Sequence, residues 1–164
     1  MSDTLYDGRR IRALTIIAEG NREGLDIAVG ISLPSRRVMR VLEDLVMVHG
    51  RPVAVRVDNG PEFLAQSFVE WAAAHRVAVH YSQPGKPDQN AYIERFNGTY
   101  RVEVLDANRF ETLADVRAET ERWLPVYNEQ RIHSAIGDLP PRVFKQQWQQ
   151  RQNPEQSLLS GGRA

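Results

Sequence analysis

Asp58 and Glu94 are the residues whose types and settings suit chemistry. Asp58 closes the apolar run Val53-Ala54-Val55-Arg56-Val57-Asp58 and is followed at once by Asn59-Gly60-Pro61-Glu62-Phe63. Glu94 lies in Asn90-Ala91-Tyr92-Ile93-Glu94-Arg95-Phe96-Asn97-Gly98, just after a loop rich in Pro and Gly. A carboxylate at a strand end and another on a helix offer the hard oxygen ligands that Mg²⁺ takes, with water and phosphate oxygens completing its shell. Two such ions about 3.5–4 Å apart clamp the attacking and leaving oxygens of an in-line phosphoryl displacement. Clustered carboxylates repel one another, and a bound cation relieves that repulsion. From the residues alone a second reading stands beside this one. An Asp before Asn-Gly commonly caps its own backbone in a turn, and a helical Glu is commonly a solvated one. The third carboxylate that a two-ion site wants is not evident near the pair.

The elements that must position these groups follow from periodicity. Met1 to Arg10 is polar and turn-like, with Asp7-Gly8 as its turn signal. Ile11–Ile17 and Leu25–Leu33 read as strands joined by a turn at Asn21–Gly24, a hairpin. Pro34–His49 carries Val38, Val41, Leu42, Leu45 and Val48 at helical spacing, and Gly50-Arg51-Pro52 stops it. Val53–Val57 has the apolar pattern of a central parallel strand, Glu62–His75 that of a helix, and Val77–Tyr81 that of another short strand. After the Ser82–Asp88 loop, a long helix from Asp88 to Leu105 sets Tyr92, Phe96, Tyr100 and Val104 toward the core. Its opposite, polar face carries Asn90, Glu94, Asn97 and Arg101 at i, i+4, i+7 and i+11. A further helix covers Thr112–Tyr127, with Pro125 set to kink or end it, and a last one covers Pro140–Gln150. Trp71 and Trp123 take core positions, Trp148 covers the core's edge, and residues 151–164 read as a disordered tail. Strands alternating with helices imply parallel pairing with helices on both sheet faces, and the leading hairpin makes the sheet mixed. Ligands of such α/β sheets bind at strand carboxyl ends, where Asp58 stands.

With 164 residues the chain has room for one domain and its core. Its 21 cations balance 21 anions, so no global basic field advertises nucleic acid. All the cations except Lys86 and Lys145 are Arg, which suits bidentate phosphate contacts, although codon usage explains the bias equally simply. The absence of cysteine excludes disulfides, thiolate metal sites and thiol catalysis. No apolar stretch reaches the length of a membrane span and no signal segment opens the chain. The expectation is a soluble, cytoplasmic protein.

Val57-Asp58-Asn59-Gly60-Pro61-Glu62-Phe63 and Pro84-Gly85-Lys86-Pro87-Asp88-Gln89-Asn90-Ala91-Tyr92-Ile93-Glu94-Arg95-Phe96-Asn97-Gly98 together resemble the integrase core of bacterial insertion-sequence transposases. That core belongs to the DDE superfamily, which includes retroviral integrases. Thirty-five residues separate Asp58 from Glu94, the spacing of the family's D-35-E signature. Tyr127-Asn128-Glu129-Gln130-Arg131-Ile132-His133-Ser134-Ala135-Ile136-Gly137 with Pro140-Pro141 resembles the family's closing segment, and Asn21-Arg22-Glu23 its early Ser-Arg-Glu. The resemblance implies a ribonuclease-H-like fold, a mixed five-stranded sheet flanked by helices. It also implies Mg²⁺- or Mn²⁺-dependent cutting of DNA at element ends, with strand transfer into a target by multimers. Asp58 matches the second catalytic Asp and Glu94 the catalytic Glu, both as metal ligands. Lys86, Asn90 and Arg101 become candidate DNA contacts, mainly to phosphates. Arg95 and Arg109 suit a DNA groove as well as a solvated face, and Arg131 with His133 suits phosphate contact as well as a helix-end cap.

The departures matter too. The family's first Asp stands on the first strand shortly before a Ser-Asp. Ser2-Asp3 resembles that Ser-Asp, which places the catalytic Asp just upstream of Met1 and the first strand partly off the chain. Asp3 is a displaced substitute and Asp26 a further candidate. Ala18, Gln89 and Ile132 replace a usual acid, Asp and Pro. The chain therefore reads as an N-terminally truncated catalytic core over residues 1–150, with impaired catalysis. The alternatives are a non-catalytic fragment that keeps the fold for DNA docking or dimerisation, and a nuclease of the same fold without transfer activity.

Overall fold

The structure is a computed structural model that describes residues 1–83 and 90–152. The expected Pro/Gly loop and Lys86 therefore fall largely or wholly outside the described residues, as does the tail from 153 onward. Residues 151 and 152 instead end the last helix.

Three antiparallel strands make the first sheet: β1 (Ser2–Thr4), β2 (Arg10–Ile17) and β3 (Gly24–Gly30), in spatial order β1-β2-β3. The register pairs Ser2 with Arg12, Arg12 with Gly30 and Ile17 with Gly24, with a shift between Ile16 and Ile17. Part of the segment expected to be turn-like is thus a strand. A turn closed by Leu5 N–H donating to Arg9 C=O and Gly8 N–H to Leu5 C=O folds Ser2–Thr4 back onto β2. The second sheet pairs β4 (Ala54–Val57) and β5 (Ala78–Tyr81) in parallel, Ala54 opposite Ala78 and Val57 opposite Tyr81. A parallel pair needs a crossover. Here it consists of α2 (Pro61–Leu64) and α3 (Gln66–Ala74), broken at Ala65, whose ψ of 137 interrupts the single helix that periodicity suggested.

The remaining helices are α1 (Ser35–His49), α4 (Ala91–Tyr100), α5 (Leu113–Gln130) and α6 (Pro141–Gln152). Gly50 stops α1 at φ +82, a conformation that glycine adopts without a Cβ penalty. A π-helical turn, Arg101–Leu105, prolongs α4. Thr112 and Asp115 form a reciprocal capping box at the start of α5. Pro125 does not end α5, which runs on to Gln130. Beyond the proline, buried Asn128 is anchored to β3, its side chain accepting from Gly24 N–H and donating to Gly24 C=O, both at 2.8 Å.

Two cores result. One packs Ile11, Ala13, Ile27 and Val29 of the three-stranded sheet under Phe96, Tyr100, Val104, Val116, Trp123 and Tyr127. Its rings meet mostly edge to face, with Phe96 and Tyr127 at 4.9 Å between centroids. The other gathers Val38, Phe63, Phe68, Trp71 and Ala72 with Leu14, Val55, Val57 and Val79 packed against it. Helices thus cover both faces, as the sequence pattern required. Two side chains depart from their expected places: Tyr92 and Trp148 are both exposed. Among the described residues the strands form two sheets rather than one five-stranded sheet. Between β2 and β4 lies a cavity of about 1300 Å³ in place of a ladder.

Candidate active site at the rim of the inter-sheet cavity

The cavity brings together the two carboxylates singled out by sequence. Asp58 leaves the C-terminal end of β4, Glu94 projects from the first turn of α4, and both line it. Asn90 and Asn97 line it as well, so this much of the expected polar helix face is realised. Arg101 does not. It stands about 10 Å further along the axis at 1.5 Å per residue and reaches β1 instead. There its guanidinium donates to Ser2 C=O at 2.7 Å and lies 4.0 Å from Asp3 and 3.6 Å from Asp106.

Asp3 therefore sits against Arg101 and not with the pair, and its Oδ1 accepts from Thr4 N–H at 2.8 Å. Asp26 is not a lining residue either. Its carboxyl accepts from Ile27 N–H, and burial pushes its pKa up, with the Asp44 charge adding to the rise. Glu19 and Glu23 also line the cavity, paired with Arg56 and Lys145, and so does Glu62 on α2, which Arg12 holds at 3.3 Å. Glu62 was in view in Asn59-Gly60-Pro61-Glu62, four residues after Asp58. The tight turn into α2 folds it back to the same rim. Among the described residues no cluster of three or more His, Asp or Glu side chains converges as a metal centre.

The turn itself is built from side chains. Asp58 Oδ1 accepts from Gly60 N–H at 2.8 Å, the self-capping geometry of an Asp before Asn-Gly. Asn59 donates to Ser82 C=O at 3.1 Å. Buried Ser82 donates to Asn90 Oδ1 at 2.6 Å and lies 3.1 Å from Val57 C=O. Ser82 thus ties β4 to the start of α4, so the two carboxylates ride on linked elements. Asn97 is held from the other side by the Thr15 hydroxyl at 2.6 Å. Asn90, expected as a DNA contact, already has this structural partner.

The remaining expected DNA contacts lie away from the cavity. Arg95 is exposed on α4. Arg131 ends α5, paired with Glu103, whose other oxygen accepts from Trp123 Nε1 at 2.7 Å. His133 packs its ring against Tyr127 at 5.3 Å. Burial, reinforced by Arg131, Arg22 and Arg95, lowers its pKa, which favours the neutral imidazole. Arg109 stacks on Tyr6 at 4.7 Å. Among the described residues no helix is long and apolar enough to cross a membrane.

Comparison with known proteins gives the frame for this geometry. Two family models described as integrase core domain match, one over residues 2–87 and the other over residues 75–141. The insertion element IS407 uncharacterized 31.7 kDa protein of Burkholderia multivorans is 44% identical over 142 residues, which are 87% of this chain and 51% of that protein. The insertion element IS476 uncharacterized 39.2 kDa protein of Xanthomonas euvesicatoria is 42% identical, covering 87% of this chain and 41% of that protein. The chain thus spans about half the length of these relatives or less. In fold it is similar to the HTLV-2 integrase catalytic core domain in complex with magnesium, at TM-score 0.69 and 14% identity over 88% of this chain and 90% of that one. It is also similar to the BIV integrase catalytic core domain, at TM-score 0.68 and 15% identity over 92% and 94%. The architecture is accordingly ribonuclease-H-like, and over more than half its length the chain matches one family: it belongs to the integrase core domain family.

Proposed function

We propose that this chain is the catalytic core of an insertion-sequence transposase that cuts DNA and transfers a 3′-hydroxyl end into a target. The observation that supports the reading is that Asp58 and Glu94 line the same cavity, in a chain of the integrase core family. The relatives named above are insertion-element proteins, and a Lactococcus lactis relative, 26% identical over 71% of this chain, is named as the transposase of IS904.

The donor set suits Mg²⁺ or Mn²⁺, since Mg²⁺ is usually held by one or two carboxylates and completed by water and phosphate oxygens. Asp58 and Glu94 would hold the ion, which would supply charge neutralisation at the phosphodiester. The chain's own residues do the rest. Asn59, Ser82 and Asn90 hold the two carboxylates' elements in register, while Arg12 keeps Glu62 occupied. Of the described carboxylates that line the cavity, Asp58 and Glu94 alone have no ion-pair partner, two where a two-ion site wants three, so catalysis by this chain is weak. DNA is the partner and self-association the working state.

The test is a gel assay of the purified chain on DNA carrying the element ends, with Mg²⁺ or Mn²⁺, beside calorimetry of the metal alone. Asp58→Asn and Glu94→Gln each abolish residual cutting and weaken metal binding by at least the roughly tenfold that loss of an outer-shell partner costs. Metal binding unchanged in both variants would remove the site. The self-capped Asp58 favours a second reading, a module that keeps the fold for DNA docking or dimerisation without catalysis. Under it, no cutting is seen and Asp58→Asn leaves association untouched.

A further inference from the structure

About 100° around α4 from Glu94, one residue on, Arg95 opens a different surface. Tyr92 lies three residues earlier and shares that side of the helix. The Tyr92 ring carries the Arg22 guanidinium, 3.3 Å from the ring centroid. Arg131 lies 5.7 Å from the Tyr127 ring, against which His133 also packs. Arg22, Arg95 and Arg131 all act electrostatically on His133 and on Tyr127. Three guanidinium groups thus converge from three separate elements: the β2–β3 turn, α4 and the end of α5.

Like charges at this density need an anion, and the chain supplies little. Glu103 pairs with Arg131, but neither Arg22 nor Arg95 has an ion-pair partner among the described residues. Two nitrogens within the cluster, Arg22 Nε and His133 Nε2, are buried without a hydrogen-bond partner. Buried polar atoms are nearly always partnered. Arg22 is moreover held at φ +64, a left-handed conformation rare for a residue with a side chain. Guanidinium groups match the oxygens of a phosphate in bidentate fashion, and an exposed Tyr stacked under an Arg adds an aromatic face for a base.

We propose that Arg22 and Arg95, backed by Arg131 and His133, clamp a DNA backbone phosphate a few nucleotides from the one that reacts. The cluster and the Asp58–Glu94 rim flank the same helix, whose diameter with side chains is about 10–12 Å. At about 3.4 Å rise per nucleotide the clamped phosphate lies roughly three nucleotides from the reacting one. The inference rests on the reading of this chain as one that works on DNA, and it adds a second contact region on the far side of α4.

The experiment is fluorescence anisotropy of a labelled duplex carrying the element end, titrated with the full chain at several salt concentrations. Each lost phosphate contact flattens the plot of log affinity against log salt by about 0.9. Arg95→Gln, exposed and without an ion pair, leaves the thermal midpoint unchanged and flattens the slope by about one contact. Adding Arg22→Gln flattens it by about one more. A wild-type slope in Arg95→Gln overturns the clamp while leaving the functional reading intact. Wild-type protein that shows no salt-dependent affinity for the duplex overturns both.

Discussion

The carboxylates at the rim are less informative singly than through the small polar residues around them. Asp58 is tied to Gly60, Asn59 to Ser82, and Ser82 to Asn90. Such groups are what a search for titratable residues passes over, because a Ser or an Asn in a loop looks like ordinary turn chemistry. Asn128 is the sharpest case. Its amide exchanges two 2.8 Å hydrogen bonds with the Gly24 backbone across 104 residues of sequence, in a fully buried place. Asn128→Ala leaves a buried N–H and C=O without partners, so it destabilises by about 2–4 kcal/mol, read as a lowered urea midpoint with an unchanged slope. Gly24 itself admits no side chain. A Cβ there would stand 2.6 Å from Leu124 Cδ1 and 2.7 Å from the Phe96 ring. Gly24→Ala therefore costs about 1–3 kcal/mol through overpacking, and a stability equal to wild type would show that Leu124 and Phe96 can retreat.

Among the elements, α6 is the one whose attachment depends on charge. Glu23, at the start of β3 and nearly fully buried, accepts from Lys145 at 2.8 Å and lies 3.8 Å from Arg142, both on α6. Burial pushes the Glu23 carboxyl up, but the hydrogen bonds from Lys145 and Asn21 and the charges of Lys145 and His49 outweigh it, so its pKa falls. A carboxylate whose folded pKa is depressed contributes stability above its unfolded pKa and loses it as pH falls through the folded one. Stability against urea should therefore decline as the solution is acidified below the ordinary glutamate range, and Glu23→Gln should remove part of that decline. His133 acts in the same direction at higher pH, because its lowered pKa makes the unfolded chain the first to bind a proton as pH drops through the imidazole range. Asp26 opposes both, its raised pKa favouring the folded state as protons are added. An acid limb unchanged in Glu23→Gln would mean that α6 is held by its apolar contacts.

For the molecule as a whole, the division into two sheets and two cores has a dynamic consequence. The three-stranded sheet is backed by a large aromatic core, whereas the β4–β5 ladder is four residues long and borders the cavity. Short two-stranded ladders draw little stability of their own. Native-state hydrogen exchange should show the amides of β4 and β5 opening at lower free energy than those of β2 and β3. Equal protection in both sheets would mean that the cavity does not uncouple them. The Asp58 turn follows the short β4 ladder and α4 packs on the larger core, so metal or DNA bridging the two should raise protection in β4.

What the sequence determined by itself is what short-range pattern encodes. Alternating and helical periodicities identify the strands and helices because each element must bury one face of its own. The contexts of Asp58 and Glu94 and the 35 residues between them identify the family because the Asp58 turn and the helix that bears Glu94 are each local. Only the tertiary structure decided which carboxylates share the cavity. It folds Glu62 onto the rim through a tight turn, and it draws Asp3 away to Arg101 through the β1–β2 register. It carries α5 through Pro125 because Asn128 is anchored to a strand far off in sequence. It also gathers Arg22, Arg95 and Arg131 from three distant segments. Such meetings depend on long-range packing, which residue spacing along the chain does not record.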